Sequence, residues 1–143
     1  MTSKTALLVT LMLLSAGESP EKTVPKDLDH LQGEWTMASG RVDGVDTVVD
    51  PKHPMQCKVQ GTKVSFEHDG KVVEEVTISL DTTKEPKVLD ADLGNKAIAP
   101  GIYRLEAETF TLCYTAPGRP RPSHFNAKTG SGHKLSVWKR PTK

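Results

Sequence analysis

The chain has 143 residues, enough for one domain built around one core. Its 19 Lys and Arg against 18 Asp and Glu leave a net charge of +1, so it lacks the basic field that collects nucleic acid through phosphate contacts. Two cysteines and seven aromatic residues (three Phe, two Trp, two Tyr) exclude a disulfide-dense scaffold and limit the bulk available for a core.

Residues 1–17 are expected to be a secretory signal peptide. Lys4 carries one positive charge, an apolar run follows from Ala6 to Leu14, and Ser15-Ala16-Gly17 offers small residues for cleavage after Ala16 or Gly17. The run is too short to span a bilayer, and no later segment is apolar enough to do so, which predicts no stable membrane insertion. Removing the leader with its one Lys leaves 18 basic against 18 acidic residues. Residues 18–25 (ESPEKTVP) are polar, hold two prolines and read as a flexible tether. The remaining segment, 26–143, is the expected folded domain, secreted or periplasmic in the cell envelope.

Pro25 opens a helical turn over Lys26–Leu31, with Leu28 and Leu31 on one face at i, i+3. Gly33 ends it, and from there the period changes to two. Trp35, Met37 and Ser39 alternate with Glu34, Thr36 and Ala38. Asp43-Gly44 predicts a turn, and Val45–Val49 a short edge or loop. Met55, Cys57 and Val59 share a face, as do Val64 and Phe66 after the break at Gly61. Asp69-Gly70 is the strongest hairpin signal, because both central residues of a type I′ turn need positive φ. Val76, Ile78 and Leu80 form the inner face of the next strand, and Leu89, Ala91 and Leu93 that of the one after.

Tyr103 and Leu105 then oppose Ile102 and Arg104. A tight bend at Glu106–Glu108 leads to Phe110, Leu112 and Tyr114, set against Thr111 and Cys113. The Pro/Gly-rich stretch 116–132 precedes a last strand, Lys134–Arg140, with Leu135 and Val137 on one face. Eight strands at such regular spacing, without helices between them, predict an all-β fold: a single antiparallel, eight-stranded up-and-down barrel with a short N-terminal helical turn. A barrel of this size is filled by side chains or holds one small ligand. Ser39, Cys57 and Ala91 are small or polar at inward positions and leave room for a modest cavity, with a fully packed interior as the alternative.

Several segments carry a resemblance: Leu31-Gln32-Gly33-Glu34-Trp35, Asp69-Gly70-Lys71-Val72-Val73, Gly101-Ile102-Tyr103-Arg104-Leu105, and Leu112-Cys113-Tyr114 leading into Pro117-Gly118-Arg119-Pro120-Arg121-Pro122. With Phe125–Gly132 they resemble a family of small, uncharacterised lipocalin-like domains abundant in planctomycete bacteria and often found behind an export signal. The likeness covers Leu28 to Arg140. It implies a lipocalin-type barrel but no established activity. It also implies that Gly33, Trp35 and Arg140 close the barrel, the guanidinium lying across the indole, with Lys139 in its place if the register is off by one. Two positions depart from the pattern: Ala107 where a Gly is usual, which demands a turn without positive φ, and Cys57 where an ordinary apolar residue is usual.

Candidate chemistry is sparse. Cys57 and Cys113 fall on opposite faces of their strands, which predicts two free thiols, with a disulfide as the alternative if a bulge intervenes. The five histidines at 30, 53, 68, 124 and 133 show no metal-ligand spacing, and only His124 and His133 flank the same loop. No general base accompanies a nucleophile, so the expectation is a protein that is not an enzyme and uses no metal and no cofactor. Prolines at alternate positions in Pro117–Pro122 stiffen an extended backbone that presents Arg119 and Arg121. Two functions follow. One is a carrier of a small apolar or amphipathic ligand, with Tyr103, Arg119, Arg121 and His124 near the barrel mouth. The other is an interaction module with a packed barrel, whose Pro/Arg loop binds an envelope protein.

Overall fold

Pro25, with φ −59°, precedes a six-residue helix, α1 (Lys26–Leu31), which ends where Gln32 turns extended. This computed structural model describes residues 25–141, so the leader and nearly all of the tether expected from the sequence lie outside the described residues. Gly33 then takes φ +104°, a conformation that side chains oppose, and swings the chain from helix into sheet.

The strands follow in chain order: β1 (Gly33–Val42), β2 (Val45–Asp46), β3 (Met55–Gln60), β4 (Lys63–His68), β5 (Lys71–Asp81), β6 (Lys87–Asp92), β7 (Ile98–Leu105), β8 (Thr109–Tyr114) and β9 (Lys134–Lys139). All pair antiparallel with their neighbours, and β1 pairs with β9, closing eight strands into a barrel. Only β2 stands outside the ring, as a two-residue flap against the end of β1. Closure leaves no long unpaired edge, which is what protects a meander from aggregation.

The turns obey their residues. Asp43-Gly44 has φ 48° and 88°, and Asp69-Gly70 has 52° and 77°, as type I′ hairpins require. Ala107 is absent from the positive-φ residues, and its bend is held by Glu106 N–H to Thr109 O at 2.8 Å.

Two bulges correct the simple alternation. Between Met37 and Ser39 the β1–β9 register slips, so Ala38 is extra. Beyond it Gly40 and Val42 face the interior, while Ser39, expected inward, is exposed. In β9 the inward residues are Ser136 and Trp138, which sit opposite the inward Leu112 and Phe110. Leu135 and Val137 therefore share the outer face. Trp138 is buried, and its Nε1 donates to Ser136 Oγ at 2.9 Å, so a small hydroxyl two residues away satisfies the indole inside the wall.

The interior is packed most densely at the end where α1 sits, called here the floor. Leu31 and Trp35 are both 0% exposed there, with Phe110 5.8 Å from the Trp35 ring and Tyr103 6.2 Å from Phe110. The opposite end, the mouth, is framed by the Asp43-Gly44 and Asp69-Gly70 turns, the β6–β7 turn and residues 115–133. Every large apolar side chain that is conspicuously exposed among the described residues lies toward the mouth, including Val45, Val48, Val72 and Val73. No helix among the described residues is long and apolar enough to cross a membrane.

Candidate functional site: an apolar cavity between a plugged floor and a polar mouth

The floor is closed by three groups acting together. Trp35 Nε1 donates to Leu31 O at 2.9 Å, tying the first strand to α1. The Arg140 guanidinium lies 3.8 Å from the Trp35 ring centroid, donates from Nη1 to Glu34 O at 3.0 Å, and donates from Nη2 to His30 O. A Cβ on Gly33 would stand 3.2 Å from Arg140 Nη1, so glycine both permits the φ and leaves space for the cation. The last strand thus reaches back to the first and to the helix, and the trio of Gly33, Trp35 and Arg140 comes together in the expected arrangement.

Tyr103 belongs to this end as well, not to the mouth. Its strand runs toward the floor, where Lys87 is its register partner. Its hydroxyl donates to Asp27 Oδ2 at 2.7 Å, and Lys87 Nζ binds the same oxygen at 2.9 Å. Burial pushes the Tyr103 phenol well up, and the Asp27 carboxylate beside it adds to the rise. Burial alone would raise Asp27, but the Tyr103 hydroxyl and Lys87 outweigh it and hold that carboxyl below its ordinary value. This triad fastens α1 over the floor.

Above the floor the barrel is hollow. A cavity of about 340 Å³ is walled mostly by apolar side chains, among them Met37, Val76, Ile78, Leu89, Ala99 and Leu112. Its lining runs from Leu31 and Phe110 at the floor to Val42, Thr47 and Ala116 at the mouth, where it is partly open. Cys57 lines it, 3% exposed, and burial pushes its thiol up to about 12, leaving a neutral, unreactive group in the wall. Cys113 is on the other side of the sheet, its Sγ donating to Asn126 O at 3.3 Å, and both thiols are free.

The mouth adds polarity to this apolar chamber. Glu74, Tyr114 and Lys134 all border the cavity. Glu74 is turned inward because it sits opposite Phe66 in the β4–β5 ladder, ahead of the bulge at Val73. Lys134 is the register partner of Tyr114, and its Nζ lies 5.6 Å from that ring centroid. None of these three was singled out from the sequence. The signal was present nonetheless, since Glu74 has the same parity as the inward Val76 and Ile78.

The Pro/Arg stretch behaves differently from expectation. Pro117 and Gly118 (φ +87°) form the centre of a turn closed by Arg119 N–H to Ala116 O at 3.3 Å. Arg121 does not face a ligand: its Nη1 donates to Asp90 Oδ1 at 2.7 Å and to Gly101 O at 2.9 Å on the outside of the sheet. Arg119 is exposed, with Nη1 3.0 Å from where a Gly132 Cβ would be. His124 is exposed beside Ser123 Oγ at 3.0 Å. Arg104 lies 4.6 Å over the Phe125 ring. The stretch is a strap over β6–β8, and it covers the outward, paired Ile102 and Cys113, which are buried along with the strap's own Ala127.

The strap is sewn to the first hairpin. Asp43 Oδ1 accepts from Gly130 N–H at 2.9 Å and Gly132 N–H at 2.8 Å, while Gly44 N–H donates to Ala127 O. Only its first residues, Ala116 and Pro117, border the cavity.

His124 and His133 make no common site, and His133 Nδ1 is buried without a partner. The histidines that do meet are His53 and His68, around Asp69: His53 Nδ1 is 2.7 Å from Asp69 Oδ1, and His68 Nδ1 is 3.9 Å from Oδ2. Among the described residues no group of three His, Cys, Asp or Glu is placed to hold a metal. Comparison with protein-family models, with curated proteins and with solved structures finds no match to this chain.

Proposed function

We propose that this protein is an exported, lipocalin-like carrier that holds one small apolar or amphipathic molecule inside its barrel and performs no chemistry on it. One observation carries the reading: a mouth-accessible cavity of about 340 Å³ with an apolar wall. Ligand sites of small molecules start near about 300 Å³, and an apolar cavity of about 150 Å³ already accepts benzene. The chamber is therefore of a size for a molecule somewhat more than twice as large as benzene. The leader-like residues 1–17 and the likeness to exported lipocalin-like domains support a cell-envelope setting.

The alternative of a packed barrel with a Pro/Arg recognition loop is not favoured. Arg121 is bonded to the barrel's own Asp90 and Gly101, and the interior is not filled.

The test uses an environment-sensitive naphthylamine probe and a variant that fills the chamber. Ala91 lines the cavity opposite Ala99. Wild-type protein should enhance probe fluorescence saturably, with energy transfer from the wall residue Trp138. Ala91→Phe should reduce binding at least tenfold while unfolding at a similar temperature. Absence of saturable binding, or equal binding by the filled variant, would refute a carrier role.

A further inference from the structure

We infer that the cavity selects an amphipathic ligand whose polar head is a cationic amine, held at the mouth between the Glu74 carboxylate and Tyr114. The inference rests on the carrier reading and names the chemistry of its ligand.

Strand alternation makes the case. Glu74 shares the inward parity of Val76 and Ile78 and pairs with the cavity-lining Phe66, while the register shift comes only beyond it, where Glu67 pairs with Val72. Glu75, next in the chain, faces outward and accepts from Ser65 Oγ at 3.3 Å. Glu74 instead borders the chamber, and among the described residues it has no ion pair within 4.0 Å and no side-chain hydrogen bond. An inward carboxylate at the top of an apolar chamber is thus left without a partner among the described residues.

Tyr114 faces it from β8, across the lumen, as another lining residue. Burial raises the Tyr114 phenol, and the Glu74 charge raises it further, so the two groups are in electrostatic reach of one another. The Tyr114 ring already has the Lys134 ammonium 5.6 Å from its centroid, a distance at which an aromatic face attracts a cation. An alkyl chain filling the chamber would place its first atom at this level. An ammonium there gains the Glu74 carboxylate and the Tyr114 side chain, against repulsion from the exposed and solvent-screened Lys134 ammonium that also borders the cavity. A carboxylate head would meet Glu74 as a like charge, offset by the exposed Lys134 and by a hydrogen bond from the Tyr114 hydroxyl.

Decylamine, decanol and decanoate, below their micellar concentrations, would be used to displace the naphthylamine probe from the full chain at pH 7. The amine should bind about fivefold more tightly than the alcohol, as a half-exposed ion pair allows, and the carboxylate most weakly. Raising salt to about 0.5 M should shrink the amine's advantage without changing the alcohol. Glu74→Gln should bring amine and alcohol to within about twofold of each other and leave the melting temperature unchanged, since Glu74 is exposed and makes no side-chain hydrogen bond or ion pair among the described residues.

Alcohol binding without an amine preference, or tightest binding of decanoate, overturns the head-group assignment while the carrier function stands. An equal loss of all three ligands in Glu74→Gln also overturns it, by making the residue structural. Failure of all three to displace a bound probe, or of the probe itself to bind, overturns the carrier function along with it.

Discussion

Replacing Arg140 by Ala should remove the stopper that ties the barrel's last strand to its first. Three interactions go at once: a cation over the Trp35 ring at 3.8 Å, and hydrogen bonds from Nη1 to Glu34 O and from Nη2 to His30 O. A partly exposed cation–π contact contributes about 1 kcal/mol. Each carbonyl bond contributes about 1 kcal/mol, because the freed carbonyls regain water. The sum is about 3 kcal/mol, or a fall in melting temperature of roughly 10 °C for a domain of this length. Arg140→Lys keeps a charge above the indole but cannot fork to two carbonyls, so it should lose about half as much. Urea titration followed by tryptophan fluorescence gives the stabilities, with an unchanged m-value showing that the unfolding reaction is the same. A loss under about 0.5 kcal/mol for Arg140→Ala would refute the idea that this guanidinium closes the fold.

Two glycines with similar positive φ should respond very differently to Ala. At Gly44 the new Cβ would collide with Thr129 Oγ1 and stand 2.8 Å from Thr129 N, so the strap must move; the expected loss is about 3 kcal/mol from strain and overpacking together. At Gly70 nothing lies within 4 Å of the new atom, and only the backbone term of about 1 kcal/mol remains; equal losses by chemical denaturation would show that the strap is not held at Gly44. Cys57 makes stability fall on the alkaline side. Its folded thiol titrates at about 12 against an ordinary 9.0, so its contribution is whole below pH 9 and lost as pH rises through 12, by up to about 1.4 kcal/mol per unit. Subtracting the pH profile of Cys57→Ala from that of wild type isolates this slope, and superimposable profiles would contradict the burial of the thiol in the wall.

The strand count and the closure were legible because period two, type I′ turn pairs and the Gly33–Trp35 entry all pointed to the same fold. Where parity failed, a local cause is visible. Ala38 is a bulge residue, and no sequence rule marks it, so Ser39 appeared inward when Gly40 and Val42 are. In β9 the apolar pair Leu135 and Val137 outweighed Ser136 and Trp138 in a reading by hydropathy, yet register with Phe110 and Leu112 places the latter pair inside. Ile102 and Cys113 are apolar on an outer face because the strap covers them, a tertiary fact that alternation cannot carry. The same fact redirected Arg121: an arginine between prolines looks free until Asp90, 31 residues away in sequence, is seen to receive it. Tyr103 was misplaced for a simpler reason, since its level along the barrel axis depends on which way β7 runs.

Arg140 grasping His30 O beneath the barrel means that both described ends, Pro25 and Pro141, leave from one side of the molecule. An affinity handle, lipid-anchored linker or partner domain joined directly at Pro25 or Pro141 would hang from that underside. A surface coated with the protein through such a join would display an array of upright cups, each rim turned to the solution.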